Sequence, residues 1–296
     1  MNRVRQVWQV SAGNFRTWHK NPRVFVAFAL AFVLCFLLGE RVGAFSREFK
    51  TTVQLVETFC WIFGDGQSVL LSSLLLVLFF GDMPFLGPNS PYWLVRISRS
   101  TWLAGQALYV ALTAGIYMLF LLVSTMVLSL SNAFTGNMWS ETAAMLAYSP
   151  AGKSSLLPVM VKTLELSTPY ECMAQIALLT LLYTLVSAFV MLALNLLKGP
   201  AWGMAGLLAL NLFGFLLEPK TIETLLGWQA GYRANLVAAW VSPLQHATYH
   251  MHNFGFDKLP RLWQSWAFFA ALALLLLAIS RVRIRSYSFN FTGGQN

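Results

Sequence analysis

Three short stretches of this chain hold the side chains that could do chemistry. The first is PLQHATYHMHNFGF, which carries His246, His250 and His252. His246 and His250 are four residues apart, so on a helix their imidazoles share a side and could bind one metal ion. A zinc-protease helix needs Glu directly after its first His, and Ala247 stands there instead. Membrane di-iron chemistry asks for more histidines than the four in the whole chain. The reading taken here is packing and hydrogen bonding at a membrane surface, with a metal-dependent enzyme as the competing one.

The second stretch, AYSPAGKS from Ala147 to Ser154, satisfies a loose phosphate-loop pattern. A working loop of that kind needs a buried strand before it, a helix after it and an acid on a further strand to hold magnesium. Ala147 replaces the first glycine and the flanks do not read as a βαβ unit, so a loop with a glycine turn is expected. The third stretch is Gly64-Asp65-Gly66-Gln67, an ionisable group inside an apolar run. Such a residue faces a cavity or a partner rather than lipid, or else caps a helix at the interface. The two glycines suit a break in the helix. Paired acids of a prenyl-transferring enzyme are missing from the apolar runs. Ser, His and acid do not fall at compatible depths for an intramembrane hydrolase, so no catalytic residue is assigned. Cys35, Cys60 and Cys172 lie in or beside apolar runs without metal-like spacing and read as small hydrophobes.

The elements that position these groups are membrane helices. The chain of 296 residues is 57% hydrophobic and 10% charged, with mean hydropathy +0.61. A soluble domain carries roughly a quarter charged residues. The expected fold is all-α and polytopic, a single permease-like domain over 1–296 with six transmembrane helices at about 22–39, 57–80, 102–130, 171–197, 201–217 and 262–280. Residues 1–21 place Val4, Val7, Trp8, Phe15 and Trp18 on one helical side against Arg3, Arg5, Arg16 and Lys20, the pattern of a helix in the headgroup plane. No cleavable signal peptide is expected, and the first span then serves as its own insertion signal. Tyr232–Val241, at ten residues, is too short to cross and reads as an outer re-entrant or interfacial segment.

With both termini inside, the inner segments hold 11 basic residues and the outer loops nine. That favours N- and C-termini in the cytoplasm and accounts for the net charge of +9 without a nucleic-acid partner. It also places the connection Gly81–Gln106 inside. Pro84, Pro88 and Pro91 interrupt it, and Asn89 can cap a short helix from Pro91 to Ser100. On that helix Tyr92, Trp93 and Ile97 are expected to share an apolar side, with Arg96 and Arg99 beside it.

Six spans, an amphipathic N-terminal helix, a short inner helix between spans two and three and an outer re-entrant piece together resemble the ABC-2 type permeases. The run DMPF…RISRSTWLAGQALY, Asp82 to Tyr109, is similar to that family's connection between spans two and three. SPLQHATYHMHNFG, Ser242 to Gly255, is similar to the segment before its last span. The resemblance implies a permease subunit of an ATP-driven exporter in the plasma membrane, with no ATPase site and no cofactor of its own. ATP and magnesium would sit on a separate cytoplasmic ATP-binding subunit, docked on the coupling helix through Asp82, Phe85, Tyr92, Trp93, Arg96 and Arg99. A second permease copy or a sister subunit would complete the unit. The substrate path would pass Asp65, Gln67 and Asn211, with Gly203, Gly206 and Gly214 letting helices approach closely. A non-transporting immunity or scaffold protein is the remaining alternative.

Overall fold

The computed structural model describes residues 2–86, 90–155, 157, 159–217, 219–226 and 231–289. Helix α1 spans Arg3–Phe15 and α2 spans Pro22–Phe49. The latter starts where Asn21 accepts from the Arg23 N–H and Pro22 takes the first turn, and ends at Lys50 in the left-handed region (φ 54°). Next come α3 (Glu57–Phe63), α4 (Gly66–Leu74) and α5 (Leu76–Phe80), then α6 (Ser90–Arg96) and α7 (Arg99–Ser129). Helices α8 (Glu141–Tyr148), α9 (Pro150–Ser154) and α10 (Val161–Leu166) fill the first long loop. Helix α11 (Pro169–Lys198) and α12 (Pro200–Leu216) pack as antiparallel neighbours across Gly199 at φ +107°, followed by Pro200 in the first turn of α12. Four helices follow: α13 (Pro219–Leu226), α14 (Gly231–Val241), α15 (Pro243–Ala247) and α16 (Leu262–Arg283). Among the described residues the only strands are two-residue pieces, Val53–Gln54 paired in parallel with Ala133–Phe134.

Four helices, α2, α7, α11 and α16, are long and apolar enough to cross a membrane, and a fifth crossing is available if α3 with α4–α5 counts as one. The side chains are sorted as a lipid solvent demands. On α2 the small residues Ala27, Ala31 and Cys35 are fully buried, while Phe25, Phe32 and Phe36 face outward. Small inward residues let helix backbones approach, and large apolar ones outside cost nothing in hydrocarbon. Helix α11 is central, with 67% of its apolar window buried, against 11% for α16.

The run 57–80 breaks where the two glycines stand, bending by 83° between Phe63 and Gly66. Gly64 caps α3, and a Cβ on it would stand 2.4 Å from the Cys60 carbonyl oxygen. Asp65 then starts a new helix by accepting from the Gln67 N–H at 3.1 Å. The expected span 201–217 is the 17-residue α12, at the short limit for crossing. Helix α1 does not use its whole predicted apolar side. Val4 and Trp8 stay exposed, whereas Val10 and Ser11 are buried, and Val10 lies so close to Gly105 of α7 that a Cβ there would be 2.5 Å away. Val10 thus seats the helix in a glycine notch of α7, with Val4 and Trp8 on the outer side.

Candidate functional site

The features of interest sit at opposite ends of α2. Arg23 near its start pairs with Asp82, and Arg41 near its other end lines a cavity of about 770 Å³. At 1.5 Å per residue those two positions are about 27 Å apart.

At the Arg23 end lies the seven-residue helix α6. Its expected cap, Asn89, lies outside the described residues. The helix stops at Arg96 rather than Ser100, because Ser98 turns extended and caps α7, accepting from the Thr101 N–H at 3.2 Å. Arg99 is therefore the first residue of α7, not part of α6. Its Nη1 donates to the carbonyls of Ile284 (3.2 Å), Arg285 (2.7 Å) and Tyr287 (3.0 Å), closing the C-terminal end of α16. Tyr92 does not share a side with Trp93 and Ile97, either. Ile97 is buried and Trp93 half-buried against the core, while Tyr92 and Val95 are 72% and 88% exposed. Arg96 is exposed with them. Phe85 turns inward, edge-on to Tyr109 at 5.3 Å.

This end is tied to α1. Trp18 Nε1 donates to the Tyr109 hydroxyl at 2.8 Å, and Asn14 Nδ2 donates to Gln106 Oε1 at 3.0 Å. Gln106 Nε2 in turn donates to the Phe85 carbonyl at 3.4 Å. Asn195 of α11, passed over in the sequence, donates from Nδ2 to the carbonyls of Gly81 (3.2 Å) and Met83 (2.7 Å). These bonds hold the segment Gly81–Phe85 against α7 and α11, and α7 against α1.

At the other end, the helix break at Asp65 opens into the cavity. Polar side chains Arg41, Asp65, Gln67, Glu223, Asn235 and His250 share its lining with Trp61, Leu71, Met160, Phe215 and Leu244. Helix α15 reaches it through glycine notches: a Cβ on Gly66 would be 2.6 Å from Thr248 Oγ1, and one on Gly214 2.6 Å from Leu244 Cβ. Asp65 and Gln67 thus line this cavity, but Asn211 does not. It is buried, accepting from Ser73 (2.7 Å) and Tyr183 (3.2 Å) and donating to the Leu207 carbonyl (2.9 Å). Gly203 and Gly206 face Asn195 and Leu194 of α11, so they close a contact within the chain.

The histidines divide. His250 lines the cavity. His246 and His252 turn away from it, both onto the hydroxyl of Ser265 at 2.8 Å, with their other ring nitrogens on the carbonyls of Trp240 (3.3 Å) and Tyr249 (3.1 Å). His246 turns to Ser265 and Trp240 while His250 lines the cavity, so the helical pair His246–His250 does not converge on one point. Among the described residues no three His, Cys, Asp or Glu side chains are grouped to hold a metal ion. Burial pushes all three imidazoles below their ordinary range. His250 falls to about 4, with the Lys162 charge adding to burial, and His252 also falls to about 4. Lys162 donates to the His252 carbonyl at 2.8 Å and pairs with Asp257.

Glu57 was missed altogether. Fully buried, it accepts from the Gln54 N–H (3.1 Å), Trp61 Nε1 (3.1 Å), Ser140 Oγ (2.9 Å) and Ser140 N–H (3.4 Å), fastening α3 to the start of α8. Its one signal in the sequence was an acid at the head of an apolar run. In the phosphate-loop-like stretch, Ser149 caps α9 directly after helix α8, so the strand that a nucleotide loop needs is replaced by a helix. Comparison with family models, with curated proteins and with solved structures finds no match to this chain.

Proposed function

We propose that this chain is the permease subunit of an ATP-driven ABC-2 type exporter in the plasma membrane, with both termini in the cytoplasm. In this reading it crosses the bilayer six times, α3 to α5 forming a broken second span and α12 the short fifth. It works with a second copy or a sister permease and with a separate ATP-binding subunit that docks on α6. The observation that carries the reading is the shape of α6. One side is anchored in the core by Trp93, Leu94 and Ile97, and the other offers Tyr92, Val95 and Arg96 to a partner. An aromatic ring beside an arginine is the composition of an interface anchor, and Arg96 suits a carboxylate on the partner. The cavity at the far end supports a substrate vestibule, with apolar walls and a few polar groups to orient an amphipathic cargo.

The test is co-purification from membranes in which the chain is expressed with its own ATP-binding subunit. The wild-type chain should bring down an ATPase. The Tyr92→Ala, Arg96→Ala double variant should retain its melting temperature and lose about tenfold in complex yield. Unchanged yield in the double variant would overturn the docking assignment. Absence of any ATPase with the wild-type chain would favour a non-transporting scaffold instead.

A further inference from the structure

The cluster of His246, Ser265 and His252 does not balance its protons. Carbonyl oxygens only accept, so the nitrogens facing the Trp240 and Tyr249 carbonyls, His246 Nε2 and His252 Nδ1, must each carry hydrogen. A neutral imidazole carries one N–H, and these two are then used up. His246 Nδ1 and His252 Nε2 are left bare, and both lie 2.8 Å from Ser265 Oγ. One hydroxyl has one proton to give. Four contacts are therefore served by three protons.

A neutral cluster must give up one contact, and the longest, His246 Nε2 to the Trp240 carbonyl at 3.3 Å, is also the one with partial access. His246 then keeps its proton on Nδ1 and donates to Ser265, which donates to His252 Nε2, while His252 Nδ1 donates to the Tyr249 carbonyl. The vacant position is Nε2 of His246. A proton added there completes the chain: the imidazolium donates to Trp240 and Ser265 together. Phe268 stacks on the His246 ring at 4.3 Å and 18°, an arrangement that favours the charged ring.

We propose that this cluster is a proton-operated latch: uptake of one proton at His246 Nε2 ties α14, which carries Trp240, to α15 and, through Ser265, to α16. The consequence reaches the cavity, because Gln245, Thr248 and His250 on the same segment form part of its wall. The charges around the latch are few. From α16 it faces Ser265, Phe268 and Phe269, none of them titratable in this range. From α14 it meets the Trp240 carbonyl alone. His250 and Tyr249 are on its own segment, and from α10 Lys162, paired with Asp257, reaches the His252 carbonyl. Among the described residues no carboxylate is hydrogen-bonded to either ring. Burial places the uptake of His246 below its ordinary range, so the latch closes on the acid side of neutral.

Ring-¹⁵N-histidine labelling of the full chain in lipid nanodiscs reads this directly, because bare and protonated ring nitrogens resonate far apart. Between about pH 8 and about pH 4.5, one ring should pass from one N–H to two, and its signals should vanish in His246→Gln. Ser265→Ala removes the second acceptor of the imidazolium and should lower the midpoint by about one pH unit, whereas Ser265→Thr keeps the hydroxyl and the midpoint. A His246 ring that keeps one bare nitrogen down to about pH 4.5 in the wild-type chain overturns the proposal, whether or not the variants fold. So does a midpoint that is the same in Ser265→Ala as in the wild type.

Discussion

The two ends of the helix bundle treat polar groups in opposite ways. At the α6 end the ion pair Arg23–Asp82 is more than half exposed on both sides, and a tyrosine, a valine and an arginine stand outward with no packing to hold them. At the cavity end a carboxylate is buried under four donors, and two imidazoles and a serine close on one another. The first arrangement costs little stability and leaves groups available to a partner. The second fixes shape, because an unpaired polar group in that position is expensive. Under the proposed function, one end is the one a partner meets and the other holds a chamber open.

Substitutions should separate the two ends by size of effect. The largest is expected at Glu57: Glu57→Ala strands the indole N–H of Trp61, the Ser140 hydroxyl and two backbone N–H groups, and should cost about 3 kcal/mol or more in detergent unfolding. A cost below about 1 kcal/mol would show that water replaces the carboxylate, and the cavity end would not be the rigid one. Acid should act next. His252 is buried with its folded value near 4, below an unfolded value of 6.5. Between those values the unfolded chain binds more protons than the folded one, so stability is lost as pH falls from about 6.5 to about 4 and levels off below. The loss should reach roughly 2–3 kcal/mol from His252, in the same direction as that from half-buried His250. A melting temperature flat over this window would contradict the burial of both rings. Asn211→Leu, which leaves the Tyr183 hydroxyl without its acceptor while Ser73 keeps the Leu70 carbonyl at 2.8 Å, should cost about 1–3 kcal/mol. At the α6 end Asp82→Asn should change stability by less than about 1 kcal/mol, and Tyr92→Ala by no more than about 0.5 kcal/mol. Larger losses there would mean that this surface holds the fold rather than serving a partner.

Much of this was legible in the chain itself. Long apolar runs marked the helices, Gly64 and Gly66 marked the break, and Gly199-Pro200 marked the tight turn, because each of these is a local property of backbone and solvent. What was hidden depends on distant partners. Glu57 is explained by Ser140, 83 residues on, and His246 by Ser265 on another helix. Ser98 was hidden for a different reason. Helical spacing through Arg99 looked continuous, and only the observed cap shows that a serine side chain competed successfully with one more turn of α6. Asn195 and Asn211 were hidden in the same way as Glu57: both are buried, one holding the Gly81 and Met83 carbonyls and the other Ser73 and Tyr183.

The central claim is that α6 is presented to the cytoplasm, where an ATP-binding subunit could push on it. Val95→Cys in a chain whose three buried cysteines are replaced by alanine, treated with a membrane-impermeant thiol reagent, tests this most directly. The account predicts labelling in inside-out vesicles and none in intact cells, since position 95 is 88% exposed. Labelling of intact cells would put α6 on the outer surface and contradict the account, whatever the resemblance to exporter permeases.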